Sequence, residues 1–281
     1  MLQTMTDFKD WLGRSETKTA VINARQAELM AATFDMDIPK EGMPLPACWH
    51  WAWFNDAKPH SELGRDGHPK RGGNALLPPI TLPRRMWAGG NIEFLKPIIV
   101  GKEITKKSTI EKIAEKSGTT GALCIVAILH ELSDGNELCI KEQQNLVFRE
   151  DPKSTSLKNT PPTPPEGAQL SKEITPDPVT MFRYSALTFN GHRIHYDVDY
   201  ARDVEGYDGL VFHAPLTATL LLGLAKKIAG TEIPNFKYRA TAPLFGHQAF
   251  SIHGKKEDGK IIVWAKTPDG NQAMIGESQC S

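Results

Sequence analysis

The chain has 281 residues, enough for one large domain or two of moderate size. Apolar residues make up 40% and charged residues 23%, the balance of an ordinary globular protein. Thirty-three Lys and Arg offset thirty-three Asp and Glu, which argues against a global electrostatic grip on nucleic acid.

The first twenty residues, MLQTMTDFKDWLGRSETKTA, lack the apolar core of a secretory signal, and Asp7 and Asp10 disfavour a transit peptide. No run of about 18 apolar residues is present, so no membrane-spanning helix is expected. Residues 17–34, rich in Ala, Glu and Met, read as a helix. Next, Trp49, Trp51 and Trp53 alternate with His50 and Ala52, and a period of two predicts a strand. A polar loop with several Gly and Pro fills 55–74. Residues 102–117 are ambiguous: Ile110, Ile113 and Ala114 keep a helical spacing, while the Thr and Ile content suits a strand. The runs 122–132 and 145–150 read as buried strands, with a turn at 135–138. Cys48, Cys124, Cys139 and Cys280 form no CxxC pair and no metal spacing, which points to a reducing, cytoplasmic setting.

Residues 151–178 carry seven prolines in 28 positions and no aromatic residue, the composition of an extended linker. They separate an N-terminal part, 1–150, from a C-terminal part, 179–281. In the second part, 214–230 reads as a helix with Pro215 in its first turn and Gly230 at its stop. It is apolar or small nearly all round from Leu216 to Ala225, so it should be buried. Strands follow at 236–243, 247–254, 260–266 and 273–278. A buried helix before an antiparallel meander predicts a curved sheet wrapped around a helix, within an α+β class.

TFNGHRIHYD, 188–197, is the densest polar stretch. His192, His195 and Asp197, with His213 downstream, could hold a metal, but their spacing is no zinc signature and no metal is expected. Ser185 lacks a nucleophile elbow. General acid–base chemistry fits better: a histidine moves protons near neutral pH, and Asn190, five residues before His195, can hold a water. The start of the 214–230 helix offers free N–H groups and the positive end of a dipole to a developing oxyanion. A solvated loop with structural histidines is the plainer alternative.

Residues 187–201, LTFNGHRIHYDVDYA, resemble the signature of the MaoC-like, (R)-specific enoyl-CoA hydratases, the hydratase-2 family. Leu187, Thr188, Ile194, His195 and Ala201 fall in register. Phe189 stands where that pattern has Gly, Asn190 where it has the catalytic Asp, His192 for Asn and Arg193 for Pro. VFHAPLTATLLL, 211–222, is similar to the family's segment leading into its helix, with Ala214 where glycine is usual. TFNGHRIHYD and EGYDGLVFHAPL match a subgroup of mitochondrial 3-hydroxyacyl-thioester dehydratases of fungal type and mesaconyl-C4-CoA hydratases. LPRRMWAGGNIEFLKPIIVG, 82–101, resembles the N-terminal half of the latter.

The resemblance implies a double hotdog, two antiparallel sheets each wrapped around a helix, with a non-catalytic first half and a catalytic second half. It implies reversible hydration of a 2-enoyl-CoA thioester, with no cofactor. The acyl group would be short and branched or dicarboxylic. The alternatives are a dehydratase acting on acyl carrier protein thioesters, or a hotdog that binds acyl thioesters without turnover. His195 would be the general base and acid, Asn190 would orient the water, and the Ala214 amide would face the thioester oxygen. His192, His213 and Asp197 would support them. A second carboxylate on the substrate would need a cation, for which Arg84, Arg85, Arg193 and Arg239 are candidates. A homodimer is compatible with such a fold but not required by it.

Overall fold

A computed structural model describes residues 8–118, 121–152 and 160–279. Its main strands follow from the alternation of apolar and polar residues. β1 (Ser15–Val21) alternates exposed and half-buried positions along its length and pairs antiparallel with β3 (Glu103–Gly118). The expected helix over 17–34 is therefore split. Its first residues, Thr- and Val-containing, join the sheet edge, and the helix α1 (Ala24–Phe34) starts only after Asn23, whose side chain accepts from Gln26 N.

β3 also settles the ambiguous stretch. Its ladder with β4 (Gly121–Asp134) shifts register between Ile110 and Lys112. A bulge adds one residue to a strand, so two positions three apart can face the same side. Ile110 and Ile113 accordingly pack into one cluster, and a spacing that mimics a helix belongs to a strand. The tryptophan alternation misled in the opposite direction. Trp49–Ala52 is a 3-10 turn entered through a left-handed Cys48. Trp49 is buried in the core, while His50 and Trp51 both turn to Glu142. Cys48, Cys124 and Cys139 are free thiols, and Cys280 lies outside the described residues.

β2 (Arg84–Phe94) and β5 (Glu137–Arg149) complete the first half. The second half supplies β6 (Leu170–Ile174), α2 (Pro178–Leu187), α3 (Ala214–Ala229), β7 (Asn235–Ala240), β8 (Phe250–Glu257), β9 (Lys260–Lys266) and β10 (Gln272–Gln279). β6 falls inside the proline-rich stretch and pairs with β8; residues 153–159 of that stretch lie outside the described residues. α3 has Gly230 in the left-handed conformation at its C-cap, and it packs on β8, β9 and β10.

The strands form one sheet in the order β1-β3-β4-β5-β2-β7-β10-β9-β8-β6. Taken from either edge inward, each set of five runs first, third, fourth, fifth, second. The fold is thus an internal repeat with no strict repeat in the sequence, its halves joined through β2 and β7. That seam depends on Gly89: a Cβ there would meet the Tyr238 carbonyl oxygen at 2.3 Å. Trp87 Nε1 donates to Tyr238 Oη across the seam at 2.9 Å. One hydrophobic core spans both halves, from Ile22, Met30 and Trp49 to Leu221, Phe236 and Val263.

The repeat also explains where a site can form. In each half a long connection runs from the first strand to the second. In the first half it carries α1, the Trp49–Ala52 turn and the loop over 55–83. In the second it carries α2, the histidine-rich segment and α3. The two connections pack together through α1 and α2.

Candidate active site

α2 begins at Asp177, whose carboxylate caps Thr180 N, and ends at Leu187. The chain then turns through Phe189, exposed and left-handed at φ 49°. This is the position of the glycine in the family pattern, and the backbone retains the conformation that glycine favours. A 3-10 turn, Arg193–His195, presents the histidine.

His195 Nδ1 lies 2.7 Å from the Val211 carbonyl oxygen. A carbonyl only accepts, so Nδ1 carries the proton and Nε2 presents its lone pair. Val211 is itself fixed by its N–H on the Ile194 carbonyl at 2.9 Å. The His195 ring stacks on His213, with centroids 3.7 Å apart and an interplanar angle of 18°. His213 is the N-cap residue of α3, and no side chain caps that helix end. Pro215 has no N–H, and Thr217 N already bonds the His213 carbonyl. The Ala214 and Leu216 amides are the donors left at the tip, beside the base.

The histidines form a column. His192 stands edge-on to His195 at 5.5 Å, and His68 lies 4.4 Å from His192. Burial lowers the His195 pKa well below the ordinary value, and His213 and His192 add to it. Burial likewise brings His213 down to about 3, and burial with the Arg85 charge does the same for His68. The rings of His195, His213 and His68 are neutral at physiological pH. The unfolded chain binds protons at these histidines below about pH 6.5, and the folded chain does not. Stability is therefore full above pH 6.5 and falls as pH drops toward 3, by up to about 1.4 kcal/mol per pH unit for each ring. Melting measured from pH 7.5 to 5 should show Tm falling by roughly 10 °C; a flat profile would contradict the neutrality of His195, His213 and His68.

The other expected residues divide by what they touch. Asn190 Oδ1 accepts the His192 amide at 3.1 Å, which fixes the side chain's orientation and leaves Nδ2 as the free end. Asp197 caps Tyr200 N at 3.0 Å and takes two bonds from Arg193, at 3.0 and 2.8 Å. Those backbone and arginine bonds hold its pKa below the usual carboxylate range. Arg193 Nη1 donates to the Arg65 carbonyl at 3.1 Å, and the guanidinium lies over the Tyr200 ring. Arg84 bonds the buried Glu205 at 3.0 Å. Burial alone would raise the Glu205 pKa, but His192 and Arg84 outweigh it and hold the carboxyl low. Arg239 is exposed on β7, next to the inward-facing Tyr238. Of the four arginines, Arg85 alone opens into a cleft that also reaches His68.

The loop over 55–74 gave no functional signal in the sequence, yet it forms one wall of the site. Arg193 N donates to the Asp66 carbonyl at 2.9 Å. Gly67, at φ 88°, sits so close that a Cβ would meet the Gly191 carbonyl oxygen at 2.0 Å. Only the GRDGH composition hinted at this tight turn. Asp66, His68 and His192 bring one potential ligand atom each within 4.8 Å of one another. Arg71 and Arg85 act on Asp66, and these guanidinium groups oppose a cation there.

The family model for hydroxyacyl-thioester dehydratase type 2 matches residues 48–246. The chain is 40% identical to the mesaconyl-C(4)-CoA hydratase of Chloroflexus aurantiacus, over 95% of this chain and 96% of that protein. A MaoC-like dehydratase from Phytophthora capsici superposes with a TM-score of 0.69 at 16% identity, covering 96% of this chain and 95% of the other. A Mycobacterium tuberculosis protein described as a double hotdog superposes at 0.54 with 11% identity, covering 95% and 96%. The fold is an α+β double hotdog, and the chain belongs to the hydroxyacyl-thioester dehydratase type 2 family.

Proposed function

We propose that the protein is a hydro-lyase that adds water reversibly to the double bond of a 2-enoyl-CoA thioester. The observation that carries this is the placing of one neutral imidazole, Nε2 outward, against the uncapped start of α3. In the hydration direction Nε2 of His195 takes a proton from water as the water oxygen bonds the β-carbon. The electron pair of the double bond moves toward the thioester oxygen, where the Ala214 N–H receives the charge. The imidazolium then returns its proton to the α-carbon, so that one water has been added. The Val211 carbonyl keeps the ring oriented through both transfers.

Asn190 has no proton to take up, and its carbonyl oxygen is already used. Its Nδ2 would hold the water by donation, leaving the whole proton transfer to His195. Asp197 takes no part in this scheme, since its oxygens are held by Arg193 and Tyr200 N. His213 covers one face of the ring, and His192 packs edge-on against it.

The similarity to a mesaconyl-C(4)-CoA hydratase along nearly the whole chain supports a short, branched, dicarboxylic acyl group. The family name keeps a second reading open, a dehydratase of carrier-protein thioesters. No described helix is long and apolar enough to cross a membrane. A hydration screen should separate the readings, using crotonyl-, mesaconyl-C4-, itaconyl- and long-chain enoyl-CoA beside the same groups on carrier protein. Fastest turnover is expected with a short dicarboxylic CoA thioester. Preference for carrier-protein thioesters favours the second reading. Saturable binding with no turnover would mean a non-catalytic acyl-thioester hotdog.

A further inference from the structure

A cleft of about 390 Å³ opens beside the histidine column. His68 belongs to both: it lines the cleft and meets His192 at 4.4 Å. Four cationic side chains border the cleft. Three of them have partners. Arg65 is paired with Asp151, Lys70 donates to the Ser61 carbonyl at 3.0 Å, and Arg71 donates to the Leu82 carbonyl at 3.0 Å. Arg85 has no hydrogen bond or ion pair among the described residues.

Neighbouring positions on a strand face opposite sides. Arg84 therefore goes to Glu205, and Arg85, the next residue of β2, goes to the cleft. The one carboxylate of the cleft, Asp66, is already committed: Oδ1 accepts His68 N and Oδ2 lies 3.1 Å from His68 Nδ1. The Arg65 charge is offset by Asp151, which leaves Arg71, Lys70 and Arg85 against Asp66. A half-buried guanidinium without a partner is a site for an anion, and its planar fork matches a carboxylate.

Resting on the hydratase reading, we infer that Arg85 anchors the second carboxylate of a dicarboxylic acyl group, with His68 at the side of the cleft that meets the histidine column. Location favours an acyl carboxylate over the phosphates of CoA. His68 is two ring contacts from His195, at 4.4 and 5.5 Å. The far carboxylate of a short diacyl group lies a few carbons from the thioester, whereas the phosphates stand a full pantetheine arm away.

The test is equilibrium binding of saturated thioesters, which cannot turn over. Wild-type protein is expected to bind succinyl-CoA roughly 10- to 100-fold more tightly than butyryl-CoA, the range of one charge-assisted anchor. The same preference is expected for succinyl- over butyryl-pantetheine, which has no phosphates. Arg85→Gln should bring the ratio close to one, and Arg85→Lys should recover part of it, since it restores charge without the fork. A wild-type ratio near one overturns the proposal and needs no variant to fold. Equal weakening of both CoA thioesters in Arg85→Gln, with the pantetheine pair indifferent to the change, assigns the cleft to phosphates and also overturns it. Retained preference with no hydration of any enoyl thioester sinks the hydratase reading alone. Hydration with no preference sinks the anchor alone.

Discussion

Replacing His195 with alanine should lower kcat/KM for hydration by about 10³-fold or more, the upper part of the range for a positioned general base. Among the described residues no other group is placed to take over. Asn190 cannot accept the proton, Asp197 is held by Arg193 and Tyr200 N, His213 is stacked on His195 with its Nε2 on Ser185 Oγ, and His192 stands edge-on to His195. The change also strands the Val211 carbonyl, which costs about 1–3 kcal/mol of stability. His195→Asn, which retains a donor for that carbonyl, separates the two effects: a folded Asn variant should be as inactive as the Ala variant. The wild-type pH profile provides a second check. Because burial lowers the His195 pKa well below 6.5, the base is already free at pH 6, and kcat/KM should stay level from pH 8 down past 6. Near-normal turnover in either variant would remove His195 from the mechanism.

The second large effect concerns a backbone atom. Ala214→Pro deletes one N–H at the start of α3 and should lower kcat by about 10²- to 10³-fold, as removal of an oxyanion donor does. The local geometry tolerates the change. His213 is extended, at φ −64° and ψ 126°, which is what a residue before proline requires, and the first turn of a helix needs no N–H at that position. Ala214→Gly keeps the amide and should lose less than about tenfold. If the two variants fall equally while circular dichroism shows the helix intact, the Ala214 amide is not the oxyanion donor.

Much of the second half was legible in the sequence, for a physical reason. α3 has Pro215, Gly230 and an apolar girth, all local signals, and its observed bounds, Ala214–Ala229, differ little from the expected ones. β9 and β10 likewise show local alternation. The first half was less legible because its patterns are short or interrupted. A single bulge gave β3 a helical spacing, and three tryptophans alternated over too few residues to specify a strand. What decided the Trp49–Ala52 turn was the buried Glu142, ninety residues away in sequence, which binds both His50 and Trp51.

The site divides in the same way. By itself, the sequence determined which histidine stands in the family register, that an asparagine replaces the usual aspartate, and that a buried helix begins nearby, since all three are matters of order along the chain. Tertiary structure alone decided the tautomer of His195, through a carbonyl sixteen residues on. It alone decided that Arg193 and Asp197 are spent on each other, and that adjacent Arg84 and Arg85 go to opposite sides of β2. The cleft wall from 64 to 71 could not be read from a loop of polar and glycine residues. It exists because the two halves repeat the same strand order, which brings their two long connections together, and because Gly67 lets one backbone approach the other.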